Sequence, residues 1–521
     1  MGERNLARQA ERQLELNGDY DSLFFEGEWF SSGLLADQAS RFATGLIGLG
    51  VRPGDRVVVL MANCPEVMTT YTALWRAGAV ATPLIFLVTE DELRHALSDS
   101  GAVGVVTTAE FLPKVNAALA GVSGVRFVVV AGNQPADATS PAPLLGFTEV
   151  ADTTPGSIVD RADEDVAALL YTGGTTGRSK GVPLSHANLF WCGWSAHQSS
   201  SGDNHLNSTL MPLPLAHVYG LLVACVGTHQ TEPSTTILMR WFDPVGWLDL
   251  AQQHKVQRTT LVPSMIQMLL AQPLETADLS ALAAVSSGAS PLAAEVQQEF
   301  EARVPSATIY EGYGCTESAA LIASNPFGQR RFGSVGKAVP GCEVTILSDS
   351  DEALPTGHDG EICVRSPGIM GGYWHAEDAT SAALVDGWLH TGDIGHLDED
   401  GYLYVVDRKK DLIIRGGFNV YPRDVEDVLL GHPAVALAGV VGRPDRRLGE
   451  EVVAFVSLRP GASTTVEELT EHAKQHLAAN KYPRDIRIVD SVPLTSVGKL
   501  DRKRLRAQVR AEVDTAAGAA S

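Results

Sequence analysis

The chain has 521 residues and a net charge of −22, with 45% hydrophobic and 20% charged residues. This length exceeds one ordinary core, so we expect a large domain and at least one smaller domain. The acidic charge and the lack of a long Lys/Arg run argue against nucleic acid and anionic membranes as partners, because phosphate surfaces attract basic faces. A bound nucleotide would therefore be held by local contacts.

The six cysteines are scattered, with no CxxC pair and no disulfide-like spacing, which fits a reducing compartment. The first ten residues, MGERNLARQA, lack the apolar stretch of a signal peptide, and the longest apolar runs, such as residues 221–226, are too short to span a bilayer. We therefore predict a soluble, cytoplasmic protein without a membrane span.

The first structural pattern along the chain is a helix, a turn and a buried strand. Residues 43–49 have helical patterning, Pro53-Gly54-Asp55 marks a turn, and residues 57–59 are three valines. Similar short strands follow at residues 103–106, 127–130 and 167–170, with helical segments between several of them. This order predicts α/β layering with largely parallel strands.

A second, smaller α+β unit is predicted near Asp407, where three basic residues precede Ile413 and Ile414. Residues 452–456 read as a buried strand, and Thr465 with Glu468 forms a capping box. One face of the following helix would be apolar; it contains Val466, Leu469, Ala473 and Leu477. We place the domain boundary between residues 409 and 410, although the basic cluster equally fits a solvated turn.

The sharpest local signal is the segment YTGGTTGRSKGV, residues 171–182, directly after a predicted strand. Glycines let successive backbone N–H groups converge on an anion, threonines add hydroxyl donors, and Lys180 adds a positive charge. The segment is not a Walker A loop, because Ser179 precedes the lysine and Gly181 follows it. On its own it would also fit a flexible surface loop.

Together with three later segments, this loop resembles the adenylate-forming enzymes, the superfamily of acyl-CoA synthetases, luciferases and peptide-synthetase adenylation domains. The family signature is YTSGTTGxPKG, and this chain departs from it with Gly173 for Ser and Ser179 for Pro, so one hydroxyl contact to phosphate is lost. The resemblance implies a set of ATP-binding residues here: Thr172, Gly173, Gly174, Thr175, Thr176, Gly177 and Lys180.

The second segment is YEGYGCTES, residues 310–318, which is similar to the family motif YGxTE. The resemblance implies that Tyr313 packs on adenine, Thr316 contacts the α-phosphate and Glu317 holds Mg²⁺ together with Thr176. A hard cation prefers carboxylate oxygen, and pyrophosphate departure needs charge neutralisation. Glu311 and Gly312 would also contact ATP. Outside this context, Thr316 and Glu317 would fit an ordinary helix start.

The third segment is DGWLHTGD, residues 386–393, which resembles GWxxTGD and implies that Asp393 binds the ribose diol. Arg408 falls on the family's arginine position and would join Asp393 at the ribose or at a phosphate, while Lys410 falls on the hinge position. By itself Asp393 would equally fit a loop aspartate that caps a turn.

The fourth segment is PLTSVGKLDR, residues 493–502, which resembles PxxxxGKxxR and implies that Lys499 is the catalytic lysine. A substrate carboxylate must approach an α-phosphate of the same sign, a repulsion of about 4 kcal/mol at 4 Å for an effective dielectric constant of about 20. A bridging ammonium would cancel that repulsion. Without the motif, Lys499 would be an ordinary solvated side chain.

The acid-binding residues are also inferred from the resemblance. His217, in the segment PLAHVYG, stands where relatives carry a histidine beside the acyl-adenylate, and Gly288 with Ala289 would border adenine and the acyl group. Taken alone, His217 would fit a satisfied core histidine. The predicted acyl pocket is mostly apolar and lacks arginine, which favours a fatty, aryl or other bulky apolar monoacid over a dicarboxylate. Its remaining members are Trp191, Val218, Leu221, Val262, Pro263, Met265 and Gly314.

The resemblance implies an α/β fold with a large multi-layer N-terminal domain (residues 1–409) and a small mobile α+β C-terminal domain (residues 410–521). It implies an acyl-CoA synthetase that uses ATP, Mg²⁺ and CoA as co-substrate, with Gly416, Gly417 and Phe418 lining the CoA tunnel. A free-standing enzyme that loads an acyl carrier protein is the alternative. A third possibility, a nucleotide-binding protein without catalysis, conflicts with the motif residues. We expect a monomer or a homodimer.

Overall fold

The computed structural model describes residues 2–132, 139–172, 179–200, 205–445, 447–494 and 500–519. The chain divides into two compact units. The first comprises Met1–Ala289, Gln298–Glu343 and Val364–Leu389, and the second comprises Ser290–Gln297, Val344–Cys363 and His390–Ser521. The predicted α/β class, with a large N-terminal body and a small C-terminal α+β domain, is confirmed.

The strands are numbered in chain order. They are β1 (Asp21–Phe25), β2 (Glu28–Ser31), β3 (Arg56–Leu60), β4 (Val80–Pro83), β5 (Gly104–Thr108), β6 (Phe127–Ala131), β7 (Leu144–Gly146), β8 (Val166–Thr172), β9 (Lys180–Ser185), β10 (Ser208–Met211), β11 (Thr235–Leu238), β12 (Arg258–Leu261), β13 (Ala284–Ser287), β14 (Thr308–Tyr313), β15 (Ala323–Ser324), β16 (Lys337–Ala338), β17 (Glu343–Leu347), β18 (Gly360–Arg365), β19 (Leu384–Val385), β20 (Trp388–Leu397), β21 (Leu403–Arg408), β22 (Ile413–Arg415), β23 (Phe418–Val420), β24 (Val435–Asp445), β25 (Gly449–Leu458) and β26 (Asp485–Ile488).

The α-helices are numbered in the same way. They are α1 (Leu6–Asn17), α2 (Ser32–Gly48), α3 (Pro65–Arg76), α4 (Glu90–Ser100), α5 (Leu112–Leu119), α6 (Phe147–Ala151), α7 (His186–Ser199), α8 (Val218–Gly227), α9 (Pro244–Gln253), α10 (Pro263–Leu270), α11 (Ala294–Arg303), α12 (Glu377–Ala383), α13 (Pro422–Leu430), α14 (Val466–His476) and α15 (Arg502–Ala519).

A seven-stranded sheet in the first unit has the order β7-β6-β5-β3-β4-β8-β9 and is parallel except for β9. Side chains alternate across it, so that Val57 and Val59 enter one apolar core while Val58 and Leu60 enter another. Both faces are therefore buried, which explains why its strands read as continuous β-branched runs. Three of the four predicted strands lie within β3, β6 and β8, and the fourth, residues 103–106, overlaps β5 from Gly104 onwards, so all four are confirmed.

A nine-stranded sheet in the same unit has the order β16-β15-β14-β13-β12-β10-β11-β1-β2. Strands β12, β13 and β14 are neighbours and run parallel, so their carboxyl ends meet at one edge. Ligands in open α/β sheets bind beyond the carboxyl ends of the strands. The residues that follow these three strands include Val262, Gly288 and Gly314, all of which belong to the predicted site.

The second unit contains a sheet of order β23-β22-β25-β24, to which β26 adds in parallel beside β25. Helices α13 and α14 share one apolar core with the sheet, and α15 shares another. Successive side chains of β25 point to opposite faces of the sheet. Val452 lies in the core shared with α13 and α14, and Val453 lies in the core shared with α15. The predicted buried strand at residues 452–456 is confirmed.

The predicted capping box of α14 is present, but its apolar face is shorter than expected. Leu469 and Ala473 are fully buried, whereas Val466 is 37% exposed. Val466 is the first residue of the helix, and Leu477, directly after its last residue, packs against the same core as Leu469. Within the described ranges, no helix has the length and apolar character needed to cross a membrane.

Candidate active site

The predicted phosphate loop joins two antiparallel strands. Thr172 at the end of β8 pairs with Lys180 at the start of β9, so the loop is the connection of a hairpin. Its predicted ATP-binding residues from Gly173 to Gly177 lie outside the described part of the chain. The Lys180 ammonium nitrogen is 4.6 Å from the centre of the Tyr373 ring. A cation at this distance from an aromatic face is attracted by the ring.

Glu317 lies in a 3₁₀ turn, Thr316–Ser318, immediately after β14. Its carboxylate Oε1 accepts a hydrogen bond of 2.8 Å from the Tyr373 hydroxyl, and its carbonyl oxygen accepts one of 2.9 Å from the Met370 amide. Burial, followed by the Glu317 charge, raises the pKa of Tyr373 well above its usual range, so the hydroxyl remains a donor at neutral pH. Sequence reasoning missed Tyr373, whose only signal was an aromatic pair after Gly371-Gly372.

The backbone after Glu317 is held in an uncommon conformation. Ala319 and Ala320 have positive φ angles of 55° and 104°, and a Cβ atom on Gly314 would lie 1.8 Å from the Ala320 carbonyl oxygen. The buried Cys192 thiol donates to the Ala319 carbonyl at 2.8 Å. Non-glycine residues in such regions persist only where neighbouring contacts fix them, and they are frequent at active sites. The turn that carries Thr316 and Glu317 is therefore tightly constrained.

The predicted adenine-side residues lie together at the ends of β13 and β14. Ser287 pairs with Glu311, and a Cβ atom on Gly288 would lie 2.9 Å from the Gly312 carbonyl oxygen. Ala289 follows with a φ of 69°. Glycine at these positions permits a close backbone approach that a larger residue would block. The structure thus brings Gly288, Ala289, Glu311 and Gly312 next to one another, with Tyr313 as the last residue of β14.

His217 is the N-cap of α8, and its Nδ1 atom accepts a 3.5 Å hydrogen bond from the Tyr219 amide. The loop before it is held by Asn63, whose side-chain nitrogen donates to the Leu213 and Met239 carbonyls at 2.9 Å each, while its oxygen accepts from the Leu215 amide at 2.8 Å. The Tyr71 hydroxyl also donates to the Leu215 carbonyl, at 2.8 Å. Asn63 and Tyr71 were not predicted as supporting residues.

Most of the predicted acyl-pocket residues lie in or against one apolar cluster. Val218 and Leu221 are buried in it, and Val262 and Met265 pack against it, as do Cys315, Ala320 and Leu321. Pro263 is buried at the start of α10. Trp191 instead contacts Trp194, with ring centres 5.2 Å apart, and the Arg4 guanidinium at 5.0 Å.

A polar pair that the sequence did not predict lies beside this cluster. The Tyr219 hydroxyl donates to the Thr260 hydroxyl at 2.5 Å, and burial raises the pKa of Tyr219 to about 12. Tyr219 packs against the same apolar cluster as Val262. The Tyr219 hydroxyl is therefore a polar group beside an otherwise apolar cluster.

In the second unit, Asp393 and Arg408 are direct cross-strand partners on β20 and β21. The Arg408 Nε atom is 3.2 Å from an Asp393 carboxylate oxygen, and the Asp393 residue is 8% exposed. The predicted ribose ligand Asp393 and its predicted neighbour Arg408 therefore lie side by side. Lys410 follows in a 3₁₀ turn, Lys409–Asp411, where burial and then the Arg408 charge lower the pKa of its ammonium group.

Lys499 lies outside the described part of the chain, but the residues on both sides of its segment are described. Leu494 and Leu500 form an antiparallel bridge that brings the two ends of the segment together. Arg502 then pairs with Glu426 at 2.6 Å and with Asp411 at 3.5 Å. Arg502, three residues after Lys499, therefore lies beside the turn that contains Lys410. Burial raises the pKa of Glu426 to about 7.

The predicted CoA-tunnel residues form a tight turn between β22 and β23. Gly416 and Gly417 have φ angles of 60° and 82°, and Arg415 pairs with Phe418 across the turn. Positive φ at both central positions is the geometry of a two-residue hairpin that glycine adopts without strain. The Phe418 side chain, next to the two glycines, is largely exposed.

The described residues contain no group of three or more His, Cys, Asp or Glu side chains that would enclose a metal ion. Mg²⁺ in nucleotide sites is usually held by one or two carboxylates together with the substrate phosphates and water. Glu317, with one oxygen bonded to Tyr373, fits such a partial protein contribution. Mg²⁺ bound there would supply charge neutralisation of the phosphates.

Comparisons with known proteins match the chain to one family. The model for AMP-binding enzymes matches residues 10–374, and the model for the AMP-binding enzyme C-terminal domain matches residues 424–499. A feruloyl-CoA synthase from Amycolatopsis sp is 37% identical over 476 residues, which cover 91% of this chain and 92% of that protein.

Two further relatives have different acid substrates in their names. A long-chain-fatty-acid–CoA ligase from Bacillus subtilis (strain 168) is 34% identical over 516 residues, covering 94% of this chain and 91% of that protein. The crystal structure of the anthranilate CoA ligase AuaEII in complex with anthranoyl-AMP superposes with a TM-score of 0.89, at 26% identity and 98% coverage of both chains. The chain therefore belongs to the AMP-binding enzyme family and is an AMP-forming acid–thiol ligase of its acyl-CoA synthetase branch.

Proposed function

We propose that this ligase joins a bulky apolar monocarboxylic acid to CoA in two half-reactions. In the first, a carboxylate oxygen of the acid attacks the α-phosphorus of ATP, and the bond to pyrophosphate breaks to leave acyl-AMP. In the second, the CoA thiolate attacks the acyl carbonyl carbon, and the bond to AMP breaks to leave the thioester. The observation that carries the proposal is the convergence of predicted nucleotide and acid residues at the carboxyl edge of β12, β13 and β14.

Each residue has a role in the first half-reaction that follows from its chemistry. Lys180 and Thr316 would bind phosphate oxygens, and Asp393 with Arg408 would bind the ribose. Lys499 would offset the repulsion between the incoming carboxylate and the α-phosphate, about 4 kcal/mol at 4 Å in a partly screened site. A positive group held at the point where like charges meet stabilises the transition state more than the ground state.

The second half-reaction needs no such cation, because the attacking thiolate approaches a carbonyl carbon. We propose that residues 410–521 turn as a lobe about Lys410 after adenylation and that Gly416, Gly417 and Phe418 then line the path of the pantetheine arm. The positive φ angles of the two glycines support this role, since a turn without side chains lets a ligand approach the backbone closely.

The test is to separate the half-reactions in a Lys499→Ala variant. Acid-dependent pyrophosphate release should fall at least about 100-fold, the loss typical of a removed charge-stabilising group. Thioester formation from supplied acyl-AMP and CoA should stay within about threefold of wild type, a change of under 1 kcal/mol. An equal loss in both steps would contradict the assigned role. Lys503→Ala, which changes another lysine four residues later, is the matched control.

The acid is proposed from the pocket and the relatives together. Val218, Leu221, Val262 and Met265 offer apolar contacts, and no arginine is among the predicted pocket residues to pair with a second carboxylate. Aryl acids are the first candidates, because the feruloyl-CoA synthase and the anthranilate ligase are both similar to this chain. Long-chain fatty acids are the second. Pyrophosphate release across a panel of aryl, fatty and dicarboxylic acids tests this order, and a preference for dicarboxylates would refute it.

CoA is the proposed acceptor, and an acyl carrier protein is the alternative. Mass detection of the product after incubation with CoA or with a holo-carrier protein separates the two, and thioester formation only on the carrier would overturn the choice of CoA. We place the reaction in the cytoplasm, where ATP and CoA are available and where the thiols of the six cysteines stay reduced.

A further inference from the structure

Tyr373 contacts two predicted site residues that belong to different elements. Its hydroxyl donates to Oε1 of Glu317, after β14, and its ring lies under the ammonium of Lys180, at the start of β9. These two contacts use different parts of one side chain. A single residue therefore links the proposed cation-binding carboxylate to the proposed phosphate-binding lysine.

The backbone of Tyr373 is itself fixed on both sides. Its amide donates to the Thr380 hydroxyl at 2.9 Å, and the next residue, Trp374, donates its amide to the Gly181 carbonyl at 2.8 Å and its ring N–H to the Asp99 carbonyl at 3.1 Å. The Tyr373 ring also packs against the main apolar core of the first unit. A side chain held in this way can orient its partners, because its own rotamer is already set.

The contact with Tyr373 restricts the conformation of the Glu317 side chain. An unrestrained glutamate loses substantial rotamer freedom when it is fixed, and that loss opposes ligand binding. The bond from Tyr373 occupies Oε1, which leaves Oε2 as the carboxylate oxygen that can face a cation carried by the ATP phosphates. The bond therefore restrains the Glu317 side chain before ATP arrives, which reduces the entropy cost of ordering it on binding.

We propose that Tyr373 is a positioning residue that aligns Glu317 for Mg²⁺ through its hydroxyl and Lys180 for phosphate through its ring. The inference rests on the proposed function, since the roles of Glu317 and Lys180 belong to it. The two contacts are separable, because Tyr373→Phe removes the hydroxyl and keeps the ring, whereas Tyr373→Leu removes both.

The test is calorimetric titration of ATP into the purified full-length protein, with and without Mg²⁺, together with the Mg²⁺ dependence of pyrophosphate release. In Tyr373→Phe the Mg²⁺ concentration for half-maximal release should rise about tenfold, the size expected when a hydrogen bond to a charged group is lost. ATP affinity without Mg²⁺ should be unchanged, and excess Mg²⁺ should restore the rate. In Tyr373→Leu, ATP affinity without Mg²⁺ should also fall, roughly threefold, since a cation–ring contact is lost.

Tyr404→Phe is the matched control, because it removes a tyrosine hydroxyl bonded to the Asp398 carboxylate at 3.4 Å in the second unit and should leave both measurements unchanged. If Tyr373→Phe fails to fold, Thr380→Val, which removes the acceptor of the Tyr373 amide, should shift the Mg²⁺ dependence in the same direction. The inference is overturned if Tyr373→Phe has the wild-type Mg²⁺ dependence, or if its rate falls equally at every Mg²⁺ concentration. Wild-type protein that binds ATP but releases no pyrophosphate with any acid would instead refute the proposed function.

Discussion

Asn63 offers a direct measure of how much the loop before His217 depends on one buried side chain. Its amide group makes three hydrogen bonds to backbone atoms of Leu213, Leu215 and Met239, and the residue is 3% exposed. Asn63→Ala removes all three hydrogen bonds at once. Two backbone carbonyl groups and one amide group then face the space that the side chain has vacated, without the partner that Asn63 supplied. Backbone groups in the interior are nearly always paired, so this loss has no ready substitute.

The size of the effect follows from the number of orphaned groups. Each buried polar group that loses its partner costs about 1–3 kcal/mol, and water entering the vacated space would recover part of this cost. We therefore expect the free energy of unfolding of the first unit to fall by about 3–5 kcal/mol. Asn116→Ala, which removes one exposed bond to the Thr139 carbonyl, should change it by no more than about 0.5 kcal/mol.

The assay is urea unfolding followed by tryptophan fluorescence, combined with the KM for the acid in pyrophosphate release. Because the loop carries His217, the Asn63 variant should also raise this KM in the protein that remains folded. A loss of under 1 kcal/mol, or equal losses in the Asn63 and Asn116 variants, would refute the reasoning that Asn63 holds the loop.

Two further predictions concern a buried acid and a glycine. The pKa of Glu426 is raised to about 7, so the folded state holds a proton that the unfolded state has released, and stability falls as pH rises from about 4.5 to about 7. The measurement is the difference between the unfolding free energy of wild type and that of Glu426→Gln. This difference should be larger at pH 5 than at pH 8 by about 3 kcal/mol, and equal differences at the two pH values would contradict the raised pKa. Gly314→Ala should lower pyrophosphate release at least roughly 100-fold, because the added Cβ atom displaces the turn of Glu317. Gly227→Ala should leave the rate unchanged, because a Cβ atom there meets nothing within 4 Å.

The sequence predicted those features that depend on residues close together in the chain. The valines at residues 57–59 predicted a buried strand because a sheet covered on both faces needs apolar residues in succession, and β3 confirms it. The local spacing of apolar residues was sufficient in that case. The motifs also drew attention to Glu317, which lies in a 3₁₀ turn after β14, and to Asp393, which lies within β20, and their roles toward the nucleotide stay predictions.

The supporting residues could not be predicted in the same way. Asn63 binds the Leu213 carbonyl across 150 positions of sequence, and Tyr373 binds Glu317 across 56. No pattern in a single sequence records such a pairing, because a buried asparagine or tyrosine has many equivalent partners until the chain is folded. Exposure is likewise decided by the fold: Val466 has the helical spacing of the buried Leu469 and Ala473 but is 37% exposed at the first position of α14.

The arrangement of the two sheets also bears on how new acid specificities arise in such a protein. Residues inside β3, β5 and β6 are packed on both faces, so a change there disturbs a filled interior and is costly. Past the end of β12, Val262 and Met265 are only partly buried, whereas Gly314 past β14 is fixed by a close backbone contact. In the proposed acyl pocket, Val262 and Met265 can therefore change with little disturbance of the framework beneath them.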